Sequence, residues 1–328
     1  MKTKIGTGQL FCLFALTRIM YSMLYHTTQF TSGTPLMLGQ LAATLIEIAL
    51  CIPMLICLTR GITLPDRLKW VYSGYFILIL ADMLSDFMGF MSGEFPDIAL
   101  PWAVAAVLVL LWGYVSSLGI EGIARSGVIV FWLVVAFVIA MALVSEGEIH
   151  PEYLTPMTKA DLPAMTAYGI EELSANWWLP MGMVLCEYTK SSGYKAGIGY
   201  LAFKLIFVEA LLFGVTVILW QYMNVAEYPI LALGAYARTN FIQQFDALNL
   251  FFWTLNALIV GGGVTFCGNP TKSRWAGYLV AAIGGGAALA AFYEILPLPY
   301  LWIRLAGSIL LGVAVPLWLT IQRKMSGR

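Results

Sequence analysis

Charge is scarce in this chain. Only 11% of its 328 residues are charged, and 18 Lys and Arg are offset by 18 Asp and Glu. With no basic excess to neutralise phosphates, the balance argues against a nucleic-acid partner. Histidine is rarer still: His26 and His150 are far apart in the sequence. The five cysteines (Cys12, Cys51, Cys57, Cys186, Cys267) lie in or beside apolar stretches, with no CxxC pair. They read as small buried hydrophobes, with no disulfide frame and no metal or cofactor site. No nucleophile stands with a base, which argues against an enzyme and leaves no catalytic residue to name. A cleavable signal peptide is also not expected, because Arg18 interrupts the first apolar stretch and no small-residue cleavage site follows.

Apolar residues are abundant instead. They make up 60% of the chain, and the mean hydropathy is +0.82. Ten apolar stretches are expected to cross a bilayer as helices: 9–26, 36–58, 70–91, 99–118, 127–144, 174–188, 199–223, 247–267, 275–293 and 299–321. The sixth is the weakest. The basic residues between them alternate from gap to gap. Lys2, Lys4, Arg60, Arg67, Lys69, Arg125, Lys190, Lys195, Lys272, Arg274, Arg323, Lys324 and Arg328 fall on one side. The other side holds only Lys159 and Arg238. The positive-inside rule then places both termini in the cytoplasm. The chain reads as one all-α polytopic membrane domain, 1–328, whose surroundings are the lipid bilayer.

Ten spans divide into five and five, and an odd number per half forces the halves into opposite orientations. This is the arithmetic of an inverted repeat, here 1–144 and 174–328, joined by an acidic extracytoplasmic loop, 145–173. A second long gap, 224–246, reads as an amphipathic helix on the membrane surface rather than an outer gate. The first helix of each half is atypical and is expected to be interrupted. The first carries Thr17, Arg18, Tyr21, Ser22, Tyr25 and His26. The sixth follows Tyr168-Gly169-Ile170-Glu171-Glu172 and contains Ser174, Asn176 and Pro180. The glycine runs 261–263 and 284–286 are read as close helix packing, since they lack the lysine of a phosphate loop.

Ionisable residues at membrane depth are costly, and they usually face a bundle interior or a wet cavity. The expected charge network is Arg18, Glu47, Asp82, Asp86 and Glu209. Arg18 is either a clamp for a ligand carboxylate or the partner of Glu47 or Asp82. Asp82 and Asp86 share a helix face and are candidates to carry a proton or bind an ammonium group, with Asp86 closer to the interface. Glu209 is a candidate proton carrier. Lys204 and Arg304 are expected to sit near the ends of their spans, Lys204 by snorkelling. Tyr21, Ser22 and Tyr25 are candidate ligand-lining residues from the first helix; Ser174, Asn176 and Trp177 are candidates from the sixth. At least one of Trp177 and Trp178 is expected in an aromatic belt at the interface.

Three segments carry a family resemblance in order and spacing. These are Lys4-Ile5 with Gln9-Leu10-Phe11; the stretch Gly119-Ile120-Glu121-Gly122-Ile123-Ala124-Arg125 ahead of an apolar span; and Tyr228-Pro229, Phe241 and Asp246-Ala247 leading into another. Together they resemble the spore germination permease family, the B subunits of nutrient-germinant receptors in the amino acid–polyamine–organocation superfamily. The resemblance implies a ten-helix transporter fold in the spore inner membrane. It also implies a larger A-type and a lipoprotein C-type partner, and a small nutrient ligand such as an amino acid that triggers germination. The span 127–144 lacks the charged lysine by which some superfamily relatives couple to protons. The competing reading is a secondary active transporter of amino acids or polyamines.

Overall fold

A computed structural model of the chain describes residues 4–24, 33–94, 100–144, 149–219, 232–233 and 245–325. Among these residues the regular structure is helical, and a single backbone bridge joins Ile5 to Thr189. In chain order the helices are α1 (Thr7–Leu24), α2 (Gly33–Leu50), α3 (Ile52–Arg60), α4 (Asp66–Glu94), α5 (Pro101–Ser117) and α6 (Gly119–Val144). Then come α7 (Leu162–Ser174), α8 (Trp178–Leu185) and α9 (Tyr194–Gly214), the last continued by a π-helical turn, Val215–Leu219. The chain closes with α10 (Phe245–Gly268), α11 (Arg274–Phe292) and α12 (Tyr300–Ile309), then a π-helical turn, Leu310–Ala314, and α13 (Val315–Met325).

Seven stretches of the described residues are long and apolar enough to cross a bilayer: Gly33–Leu50, Asp66–Gly93, Gly119–Val144, Tyr194–Leu219, Leu250–Gly268, Arg274–Phe292 and Tyr300–Met325. A shorter apolar helix is Pro101–Ser117. Large apolar side chains such as Leu45, Ile129, Leu143, Ile206 and Leu279 point away from the protein. An outward apolar coat around helices whose backbone bonds are met internally is the build of an integral membrane protein.

Two helical lines are broken, each for a local reason. Between α2 and α3 stands Cys51, and Pro53 in the first turn of α3 has no N–H to give to the preceding turn. Between α7 and α8 the chain turns through Ala175, Asn176 and Trp177, while Leu179 N–H bonds back to the Asn176 carbonyl at 3.0 Å. Pro180 has no N–H for that carbonyl, and its ring would clash with it in a continuous helix. The π-helical turn 310–314 lies ahead of Pro316, and a Cβ on Gly312 would come within 2.6 Å of Leu179. The two irregular stretches therefore pack on each other.

Helix α11 packs on α4 and α5, α10 on α5 and α6, α1 on α6 and α9, and α2 on α7. The glycine runs act as expected. A Cβ on Gly261 would lie 2.1 Å from the Trp112 ring, and one on Gly285 would lie 2.4 Å from Val109. Helix α5 thus sits directly on the backbones of α10 and α11, and Trp112 Nε1 donates to the Ala257 carbonyl at 2.9 Å.

The structure differs from the sequence expectation at two places, and a third segment is not described. The first helix runs unbroken from Thr7 to Leu24, because no glycine or proline falls between Gln9 and Leu24 to interrupt it. Residues 162–173, expected in the loop 145–173, form α7 together with Ser174 and bury Tyr168 and Glu172. The surface segment expected over 224–246 lies outside the described residues apart from 232–233 and the start of α10.

Candidate functional site

Two groups of charged side chains lie within the helix bundle, one on each side of Tyr21. The first is centred on Lys204 of α9. Its ammonium donates to Glu47 Oε2 of α2 at 2.5 Å and stands 3.6 Å from Glu172 Oε2 of α7. Arg18 Nη2 of α1 donates to Glu172 Oε1 at 2.6 Å. Trp178 Nε1 donates to Glu47 Oε1 at 2.6 Å, and Tyr168 OH donates to Glu172 Oε1 at 3.0 Å. The Asn176 amide lies against Glu47 and 3.3 Å from the Lys204 ammonium. With its nitrogen toward Glu47 it donates to both carboxylate oxygens, at 2.8 and 3.1 Å. That orientation turns an N–H donor rather than a second acceptor toward the carboxylate, which also receives Trp178 and Lys204, and it leaves the amide nitrogen beside Lys204. Glu47 and Lys204 are 0% exposed, Glu172 1% and Arg18 2%, so two positive and two negative groups balance without solvent.

The second group is centred on Arg304 of α12. Its Nη1 donates to Asp82 Oδ2 of α4 at 2.8 Å, its Nη2 to Glu171 Oε1 of α7 at 2.9 Å, and its Nε to Ser174 Oγ at 3.4 Å. Here one cation serves two carboxylates. Asp86 stands one turn further along α4, half-buried, with no hydrogen bond among the described residues. This group is less enclosed: the side chain of Arg304 is 10% exposed and that of Glu171 28%.

Two features connect the groups. Glu171 and Glu172 are consecutive on α7, so their side chains leave the helix about 100° apart and enter different groups. Tyr21 has its ring 5.2 Å from the Arg18 guanidinium carbon and 5.3 Å from that of Arg304. Its hydroxyl donates to Glu171 Oε1 at 2.8 Å.

Among the described residues, several buried polar atoms have no hydrogen-bond partner. Arg18 Nε and Nη1 are buried and unpaired, and so is the Ser22 hydroxyl, one turn further along α1. A guanidinium that spends only one of its nitrogens on a carboxylate keeps charged N–H donors for another anion. Two residues before Arg18, the Leu16 carbonyl accepts from Asn256 Nδ2 of α10 at 3.2 Å.

Of the residues singled out from sequence, the structure brings Arg18, Tyr21, Glu47, Asp82, Ser174 and Asn176 into or against these groups, and buries Ser22 one turn from Arg18. The partners differ from those expected. Arg18 pairs with Glu172 rather than Glu47 or Asp82; Glu47 belongs to Lys204; Asp82 belongs to Arg304. Lys204 does not snorkel. It is fully buried, because two carboxylates hold it inward. Arg304 is likewise buried rather than interfacial. Trp177 and Trp178 are 3% and 0% exposed, and neither is a belt residue; Trp178 turns inward to donate to Glu47. Glu209 lies on α9, half-buried, with Oε1 unpaired and no bond to either group. Tyr25 and His26 lie outside the described residues.

Sequence reading missed Glu171, Glu172 and Tyr168, which it assigned to the outside loop. One signal pointed there. Three cations inside spans require carboxylates, and an adjacent glutamate pair just before Ser174, Asn176 and Pro180 stands where a broken helix would offer them.

Among curated proteins, no match to the chain is found. A family model described as spore germination protein matches residues 53–262, from the start of α3 into α10. The matched stretch contains Asp82, Glu171, Glu172 and Lys204, whereas Arg18, Tyr21, Glu47 and Arg304 lie beyond it. It spans well over half of the chain, and the chain belongs to the spore germination permease family.

Proposed function

We propose that this protein is the nutrient-recognition subunit of a spore germination receptor, and that it holds the carboxylate of a small amino acid on Arg18. The carrying observation is the pair of unpartnered nitrogens on a 2%-exposed guanidinium, with the unpaired Ser22 hydroxyl one turn away. Burying donors without acceptors costs about 1–3 kcal/mol each, more when charged, and a bound carboxylate relieves that cost. The broken α7–α8 line places the Asn176 amide and the end of α7 against the same group, as in transporter sites built at interrupted helices.

In this reading the helices form ten spans, five and five: α1, α2–α3, α4, α5 and α6, then α7–α8, α9, α10, α11 and α12–α13. Both termini face the cytoplasm, the membrane is the spore inner membrane, and A-type and C-type subunits are the partners. Transport is the second reading. Asp86 and Glu209, carboxylates without a described hydrogen bond, favour it as groups able to carry protons.

The test is germination of spores lacking only this chain, followed as loss of optical density across a panel of amino acids. Loss of response to one amino acid is expected. Arg18→Lys keeps a charge for Glu172 but loses the two unpartnered nitrogens, and should raise the half-maximal concentration of that nutrient on the order of a hundredfold. An unchanged concentration at normal protein amount would sink the clamp. Normal germination of the deletion spores, together with amino-acid uptake by the protein in liposomes, would favour transport.

A further inference from the structure

We infer that Tyr21 is the positioning residue that carries occupancy of Arg18 to the Arg304 group. The inference rests on the recognition role proposed for Arg18. Tyr21 follows Arg18 by three positions on α1, so the two side chains share a face. The phenol ring lies under two guanidiniums from different helices, 5.2 Å from one and 5.3 Å from the other. Its hydroxyl shares Glu171 Oε1 with Arg304, at 2.8 and 2.9 Å. The ring is 8% exposed, so it has little freedom to move independently of its neighbours.

The consequence is electrostatic. A cation is drawn to a ring face by the ring's quadrupole, and the attraction falls when the cation is neutralised by an anion. A carboxylate bound to the free nitrogens of Arg18 weakens its hold on Tyr21. It also competes with Glu172 for the same guanidinium. Tyr21 then leans on Arg304, and its hydroxyl competes differently for Glu171. The last turn of α7 feels both changes at once, because Glu171 and Glu172 are adjacent there. The contact that yields is the Arg304 bond to Glu171, the more exposed of that cation's two carboxylate bonds.

A double-variant comparison in spores tests this. Wild type, Tyr21→Phe, Arg304→Gln and the combined variant are titrated with each amino acid of the panel, at membrane protein amounts matched by immunoblot. Tyr21→Phe keeps the ring and loses the hydroxyl, and should raise the half-maximal concentration about tenfold. The combined variant should be no worse than Arg304→Gln alone, because both changes interrupt one line. Tyr21→Leu, which loses ring and hydroxyl, should respond less than Tyr21→Phe. A combined effect equal to the product of the two single effects overturns the inference, as does a Tyr21→Phe response equal to wild type. An impaired Arg18→Lys beside a normal Tyr21→Phe removes only the coupling. A normal Arg18→Lys removes the recognition role and the coupling with it.

Discussion

The Lys204 group and the Arg304 group use the same residue types on neighbouring helices, yet they differ in balance and enclosure. Around Lys204, two cations meet two carboxylates, and each carboxylate also receives neutral donors from Trp178, Asn176 or Tyr168. Around Arg304, one guanidinium divides its nitrogens between Asp82 and Glu171, and Asp86 adds a third carboxylate nearby. The first group is fully enclosed, while the second keeps some exposure. A balanced, dry group is costly to disturb and holds helices in place. An unbalanced, partly open one can exchange partners. That contrast suits a protein in which one group fixes the bundle around a ligand and the other responds.

The comparison breaks most sharply at Lys204. Lys204→Met leaves Glu47 and Glu172 without their shared cation and should destabilise the protein by about 3–5 kcal/mol. The loss should appear as a lower unfolding temperature in detergent and reduced membrane accumulation. Adding Glu47→Gln should recover part of it; a Lys204→Met protein as stable as wild type would contradict the structural role of this group. Arg304→Gln should cost less, about 1–3 kcal/mol, because its carboxylates retain some access to solvent. Equal losses from the two substitutions, measured side by side, would erase the distinction. Trp178→Phe keeps an aromatic ring and removes one donor to Glu47, and should cost about 1 kcal/mol in the same melting assay. Asp86→Asn touches no described hydrogen bond and should stay within about 0.5 kcal/mol of wild type. A large loss there would mean that Asp86 is a structural member of its group.

The difference between the groups also marks what was legible in the sequence. Arg18, Glu47, Asp82 and Asp86 stood out because each interrupts an apolar run. Lys204 and Arg304 stood out too, but their depth was misjudged: a long basic side chain near a span end has two physical options, reaching outward to water or inward to a carboxylate. The choice depends on neighbours from other helices. For Lys204 these are Glu47 and Glu172, 157 and 32 positions away in sequence. Glu171 and Glu172 were misplaced for a related reason. An acidic pair beside a weak apolar stretch has the composition of a loop, and only the cations converging from α1, α9 and α12 make its burial tolerable. The break after Ser174 was foreshadowed by Pro180, whose effect on the preceding turn is local and needs no tertiary partner.

By itself the sequence determined that this chain is a polytopic helical membrane protein of the spore germination permease family, with ionisable residues inside its bundle. Those properties follow from local quantities: the length of apolar runs, the alternation of basic residues, and short motifs in order. Tertiary structure alone decided the pairing of those residues. Coulomb attraction and hydrogen bonding act over a few ångströms in space and are blind to sequence distance. Which carboxylate meets which cation was therefore fixed by the packing of α1, α2, α4, α7, α9 and α12. The same packing left Arg18 with two nitrogens unspent.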